Sequence, residues 1–138
     1  MGMTIWVNTL KDGAVTSDES DKSAMYRHLS RLDGVCVEIG LRKLSGFLDT
    51  TDLETAFAGA DATGENGWER MARLGQWFPP QEGVAVLTGL ITRLRDKPVR
   101  FGLISNQYAE VLEDLGDCLT SVEAAQAMQA MFHLCVVA

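Results

Sequence analysis

Histidine is nearly absent from this 138-residue chain, lysine and arginine stop altogether after Arg100, and no apolar run approaches the length of a membrane span. Each scarcity removes a class of function. A helix that crosses a bilayer needs about 20 predominantly apolar residues, and the longest runs here, such as the closing LCVVA, fall far short of that. The opening MGMTIWVNTL has no basic start, long apolar stretch or small-residue cleavage site, so no secretory signal is expected. Trp6 stands where a myristoylation motif needs Ser or Thr. Cys36, Cys118 and Cys135 are odd in number and widely spaced, and Cys36 and Cys135 lie in apolar runs; that is no disulfide framework, and buried reduced thiols in a cytoplasmic protein are expected.

Little remains for catalysis. His28 lies between Arg27 and Arg31 and reads as a boundary residue; His133, in an apolar run, reads as a hydrogen-bonded core residue. A nucleophilic pair of Cys118 or Cys135 with either histidine would need a helix N-terminus or a nearby cation to lower the thiol pKa, and residues 101–138 supply no Lys or Arg. The carboxylates Asp49, Asp52 and Glu54 could gather around a divalent ion, but helix capping by Asp52 accounts for part of the cluster more simply. A calcium-type loop could start at Asp61, but Asn66 stands where it needs glycine and Ala72 where it needs glutamate. Neither a GxxxxGK[ST] nor a GxGxxG sequence occurs. No metal and no cofactor are expected, and an enzyme is the less favoured class.

What is present suits a folded domain: 46% of residues are hydrophobic and 22% charged, well away from the composition of disordered chains. The expected fold class is α+β, a mostly helical single domain over residues 1–138 with a short N-terminal β-hairpin or small sheet. Ile5 and Val7 alternate before Asp12-Gly13, a pair suited to a tight hairpin turn. Met25, Leu29, Leu32, Cys36 and Ile39 predict one helix, capped by Asp21 and closed by Gly40. Residues 41–48 are ambiguous, a short helix capped by Thr51 or Asp52 is expected through Phe57, and GADATGENG predicts a surface loop. A helical pattern through Trp68, Met71 and Leu74 follows. Pro80 starts a further helix with its stripe on Val84, Leu87, Leu90, Ile91 and Leu94, and Pro98 ends it. VRFGLI, at 99–104, is either a strand or a linking turn. Ser105 or Asn106 can cap a helix through Leu119, and the Thr120–Glu123 capping box predicts a separate last helix, AAQAMQAMFHLCVV. Trp6, Trp68 and Trp77 are expected mainly in the core.

Charge is the informative feature. The net charge is −7. Glu110, Glu113, Asp114 and Asp117 follow i, i+3, i+4, i+7 spacing, so one helix face carries four carboxylates with no basic side chain on that helix to answer them. One account is a solvated face, and another is intramolecular pairing with the basic run Arg93, Arg95, Lys97 and Arg100. The functional account is a docking surface for a basic protein, extended by Asp18, Glu19 and Asp21. Nucleic acid is excluded as a partner by the sign of the charge, because the interrupted basic run makes a poor phosphate track.

In size, acidity and lack of catalytic motifs the chain resembles bacterial immunity proteins that neutralise toxin domains, which implies a non-enzymatic cytoplasmic protein with a basic protein partner and no membrane contact. Two alternatives stand beside it. One is a small-molecule binder or enzyme whose pocket gathers Tyr26, His28, Asp49 and Asp52. The other is a homo-oligomer that buries the Ala/Met face of the last helix.

Overall fold

The computed structural model describes residues 2–51 and 66–138. Strand β1 (Thr4–Lys11) turns at Asp12 and Gly13, both with positive φ (52° and 78°), into β2 (Ala14–Ser17), so the Asp-Gly hairpin forms as its residues dictate. Helices α1 (Ser23–Arg27) and α2 (Leu29–Glu38) follow, then a 3₁₀ turn (Leu44–Phe47) and the two-residue strand β3 (Leu48–Asp49). Beyond the undescribed stretch come α3 (Gly67–Leu74), α4 (Pro80–Asp96), α5 (Tyr108–Ala127) and β4 (Met131–Val137). The sheet order is β2-β1-β4-β3, with β4 antiparallel to β1 and parallel to β3, so the fold is mostly helical α+β with one small sheet.

Alternation along the strands divides the sheet into two faces. Ile5 and Val7 of β1 stand opposite Val136 and Leu134 of β4, and this face meets the buried stripes of α4 and α5, including Leu87, Leu90, Leu94, Val111, Leu115 and Val122. Each such side chain, fully buried, contributes roughly 1.5–3 kcal/mol. Helix α4 comes very close to the sheet at Gly83, where a Cβ would run into the Phe132 ring. The other face carries Trp6, Asn8, His133 and Cys135; α3 lies there, its buried Met71 Sδ accepting from the Asn8 amide at 3.4 Å.

Three expectations from sequence are corrected. The helix expected from Asp21 to Gly40 breaks at His28 (φ −108°, ψ 21°), whose ring bonds Gln107 Oε1 at 2.7 Å and lies 5.4 Å from the Phe101 ring, so a tertiary anchor sits at the break. Asp21 does not cap α1: the Met25 N–H donates instead to Asp114 Oδ2 of α5 at 3.0 Å. The separate last helix is absent. Thr120 lies inside α5, its hydroxyl donating to Gly116 O at 3.0 Å, and the helix ends at Ala127, with Gln129 just beyond it in the left-handed region (φ 57°). There the Gln129 and Ala130 amides donate to the Gln126 and Ala125 carbonyls, a Schellman closure with glutamine where glycine is usual. The β-branched and aromatic residues of MFHLCVV then form an inner strand. Its Ala/Met face therefore does not exist as a helical stripe: Ala125 is in the core, and Met128 is half exposed beyond the end of α5.

Other expectations hold. Gly40 (φ 74°) closes α2, with Leu41 N–H donating to Cys36 O at 2.8 Å. Pro80 opens α4 at its first turn and Pro98 follows its end. The chain at 99–104 is a linking turn, and 41–48 contributes the 3₁₀ turn and the first residue of β3. The short helix expected from Thr51 or Asp52, most of the surface loop, and the candidates Asp52, Glu54 and Asp61 lie outside the described residues. No helix among the described residues is long and apolar enough to cross a membrane.

Candidate binding surface

Helix α5 buries one stripe and turns its carboxylates outward beside α1. Glu110, Glu113 and Asp117 are exposed, whereas Asp114 is half-buried because its Oδ2 accepts the Met25 amide proton. Burial raises the Asp114 carboxyl above its usual range; the amides of Met25 and Ala24 pull it down, and Asp21 and Asp117 push it further up. Asp21, Glu110, Glu113, Asp114 and Asp117 line a groove of about 370 Å³ between the two helices, and Arg27 is the one cation in its wall. Arg27 is itself engaged, donating from Nη1 to Gln107 Oε1 at 2.8 Å.

Among the described residues no ion pair includes Glu110, Glu113, Asp114 or Asp117. Of the basic run that ends α4, Arg93 pairs with Glu38 at 3.1 Å and Arg100 donates to the carbonyls of Gly102 and Leu103. Among the described residues the basic run therefore makes no ion pair with the stripe. Asp18, grouped by sequence with this surface, belongs to the interior: it accepts the Val7 amide at 3.0 Å, the Ser121 hydroxyl at 2.9 Å and the Lys22 ammonium at 2.6 Å. Lys22 has no exposed surface and also donates to Ile5 O and Ser20 O, so all three of its protons are used.

Of the polar residues proposed as a dispersed pocket, the three described, Tyr26, His28 and Asp49, do not converge, and Asp52 lies outside the described residues. The Tyr26 hydroxyl meets Met3 Sδ at 3.4 Å, His28 is tied to Gln107, and Asp49 lies across the sheet from both. Asp49 instead meets His133, a pairing that sequence did not suggest because 84 positions separate them and they are joined only through tertiary structure, the parallel β3–β4 register and the Gln76 backbone between them. His133 is completely buried under the Trp77 ring at 3.9 Å; its Nδ1–H donates to Gln76 O at 2.9 Å, and its Nε2 accepts from the Asn8 amide at 3.1 Å. Asp49 Oδ2 is 3.8 Å from Nδ1, while the carboxylate accepts from Thr51 and the Gln76 amide. Burial lowers the His133 pKa against the opposing pull of the Gln76 carbonyl and Asp49, so the ring is neutral at pH 7. Asn8 Oδ1 is the one buried side-chain oxygen or nitrogen without a partner among the described residues. With both ring nitrogens engaged and no exposed surface, His133 holds the far face of the sheet together.

The thiols are equally enclosed. Burial pushes Cys118 up to about 12 and raises Cys36, so neither is a thiolate near neutral pH, and no cysteine is joined in a disulfide. Among the described residues no group of three or more His, Cys, Asp or Glu is placed to hold a metal. Trp77 stacks on His133, Trp6 is half-buried, and Trp68, 46% exposed, lies on α3 across the sheet from the acidic groove. Comparison with known proteins leaves this geometry to speak alone: no family model, no curated protein and no solved structure matches the chain.

Proposed function

We propose that the chain is a non-enzymatic binding protein that receives a lysine- or arginine-rich segment of a partner protein in the groove between α1 and α5, as a cytoplasmic protein of immunity type would. The observation that carries this reading is the charge of Glu110, Glu113 and Asp117, exposed on one wall and in no ion pair among the described residues, while Arg93 and Arg100 of the basic run are engaged elsewhere. Carboxylates concentrated in a concave surface raise the local concentration of a basic partner and steer its approach. The enclosed His133, with its pKa lowered by burial, and the enclosed Cys36 and Cys118, with theirs raised, support a binding role over a catalytic one.

Oligolysine titrated into the protein tests the proposal by amide chemical shifts. Shifts confined to α1 and α5, with an affinity that falls steeply as salt rises, are expected. The triple reversal Glu110→Lys, Glu113→Lys, Asp117→Lys abolishes them; Asp114 is left in place because α1 depends on it. Shifts scattered over the whole surface, or binding that survives the reversal, would overturn the reading.

A further inference from the structure

The linker between α4 and α5 ends in two aliphatic side chains with no protein around them. Leu103 is 97% and Ile104 101% exposed, whereas every other exposed large hydrophobic among the described residues keeps at least two-fifths of its surface covered. A loose loop could carry such residues by accident, but this one is held on both sides. Phe101 is buried in the core, its amide donating to Asn106 Oδ1 at 2.9 Å and its carbonyl accepting from the Gln107 amide at 2.7 Å. Arg100 reaches over the turn to the Gly102 and Leu103 carbonyls at 2.9 and 3.2 Å. Gly102 has φ 109°, and a Cβ there would collide with the Ser105 carbonyl, so the turn is tight and glycine is required. Two apolar side chains are thus presented in a fixed geometry, which lowers the ordering cost of burying them in a complex.

The tip adjoins the acidic groove. Arg27 and Gln107, bonded to each other, line both the groove and the cleft beneath Leu103 and Ile104. We infer that the Leu103–Ile104 tip is the apolar anchor of the docking surface, and that the partner is a protein whose contact face joins an apolar socket to a patch of lysine and arginine. This rests on the binding function proposed above and specifies its partner. Charge complementarity selects a protein over a bilayer: anionic head groups that would accept the aliphatic tip are repelled by the carboxylates beside it.

The test uses the intact chain and two probes of equal positive charge, a helical peptide with leucine on one face and lysine on the other, and a glycine–lysine peptide. The leucine–lysine peptide is expected to bind at least about tenfold more tightly, the effect of burying two aliphatic side chains. Leu103→Ser with Ile104→Ser removes that advantage and leaves the glycine–lysine affinity unchanged; both positions are exposed, so the fold is retained. An advantage that persists in this variant overturns the anchor while the acidic groove stands. Glycine–lysine binding that ignores the Glu110, Glu113 and Asp117 reversal removes the groove instead, and the anchor with it. Serine-sensitive binding to phosphatidylserine vesicles would reassign the tip to a lipid surface and overturn the protein partner.

Discussion

Two sets of carboxylates flank helix α1, and they have opposite fates. Asp18, before it, is drawn inside and answered four times over, by the amides of Val7 and Ser20, the Ser121 hydroxyl and the buried Lys22 ammonium. Glu110, Glu113 and Asp117, beside it on α5, face solvent and enter no ion pair among the described residues. Asp114 stands between the two cases: a member of the stripe by spacing, it has turned inward to hold the α1 amide of Met25. The difference lies in what the chain needs. The segment before α1 leaves the Val7 amide and the Ile5 carbonyl of β1 without strand partners, and Asp18 and Lys22 satisfy them; the outer wall of α5 has no such groups. Negative charge at Asp18 is therefore structural, and negative charge at the stripe is available to something else.

The most severe way to break this contrast is Lys22→Met. It leaves the Asp18 carboxylate in a largely enclosed site without its counter-ion and frees the Ile5 and Ser20 carbonyls. Removal of one partner of a buried pair typically costs about 3–5 kcal/mol, so urea unfolding should show a loss of that order. A loss under about 1 kcal/mol would mean that Asp18 is not anchored through Lys22 and that the two carboxylate sets do not differ as described.

Asp114 sharpens the comparison at intermediate size. Asp114→Ala removes an N-terminal acceptor of α1 and should destabilise by about 1–2 kcal/mol, whereas Asp114→Asn keeps an acceptor oxygen and should lose much less. The pH dependence separates the roles further. Because burial raises this carboxyl above its unfolded value, the folded state holds its proton more tightly, and ionisation costs stability. The contribution is full below the unfolded pKa and is lost as pH rises through the raised folded value; Asp114→Asn should flatten that part of the stability profile in denaturant titrations. An unchanged slope would show that another group produces it.

How much of this was legible depended on whether the signal was local. Asp12-Gly13, Gly40, and Pro80 with Pro98 each act on their own backbone, and the hairpin, the end of α2 and the limits of α4 follow from them. The end of α5 has no such mark: Gln129 adopts a conformation that favours glycine, and a strand follows where the capping pattern at Thr120 promised another helix. The break at His28 is equally silent, because its anchor, Gln107, lies far along the chain. At the surface, spacing placed four carboxylates on one face but could not reveal that Asp114 is claimed by α1 or that Asp18 is claimed by Lys22. Leu103 and Ile104 looked like a possible strand because apolar residues are ambiguous in so short a run, and only the Arg100 and Gly102 contacts explain why they project.

The smallest effect tests the exposed half of the comparison directly. If Glu110, Glu113 and Asp117 have no internal ion-pair partner, what the isolated protein feels from them is repulsion among themselves and with Asp114, partly offset for Glu110 by its place in the first turn of α5 at the positive end of the helix dipole. Like charges at helical neighbour spacing cost roughly 0.2–0.5 kcal/mol per pair, so Glu110→Gln, Glu113→Gln, Asp117→Asn together should stabilise the protein by about 0.5–1 kcal/mol at low salt. The gain should shrink as salt screens the repulsion, since these side chains are exposed and closely spaced. Thermal unfolding at low and high ionic strength reads both signs. A triple variant less stable than the parent would mean that these carboxylates already have a partner within the fold, and the distinction between structural charge at Asp18 and available charge on α5 would fail.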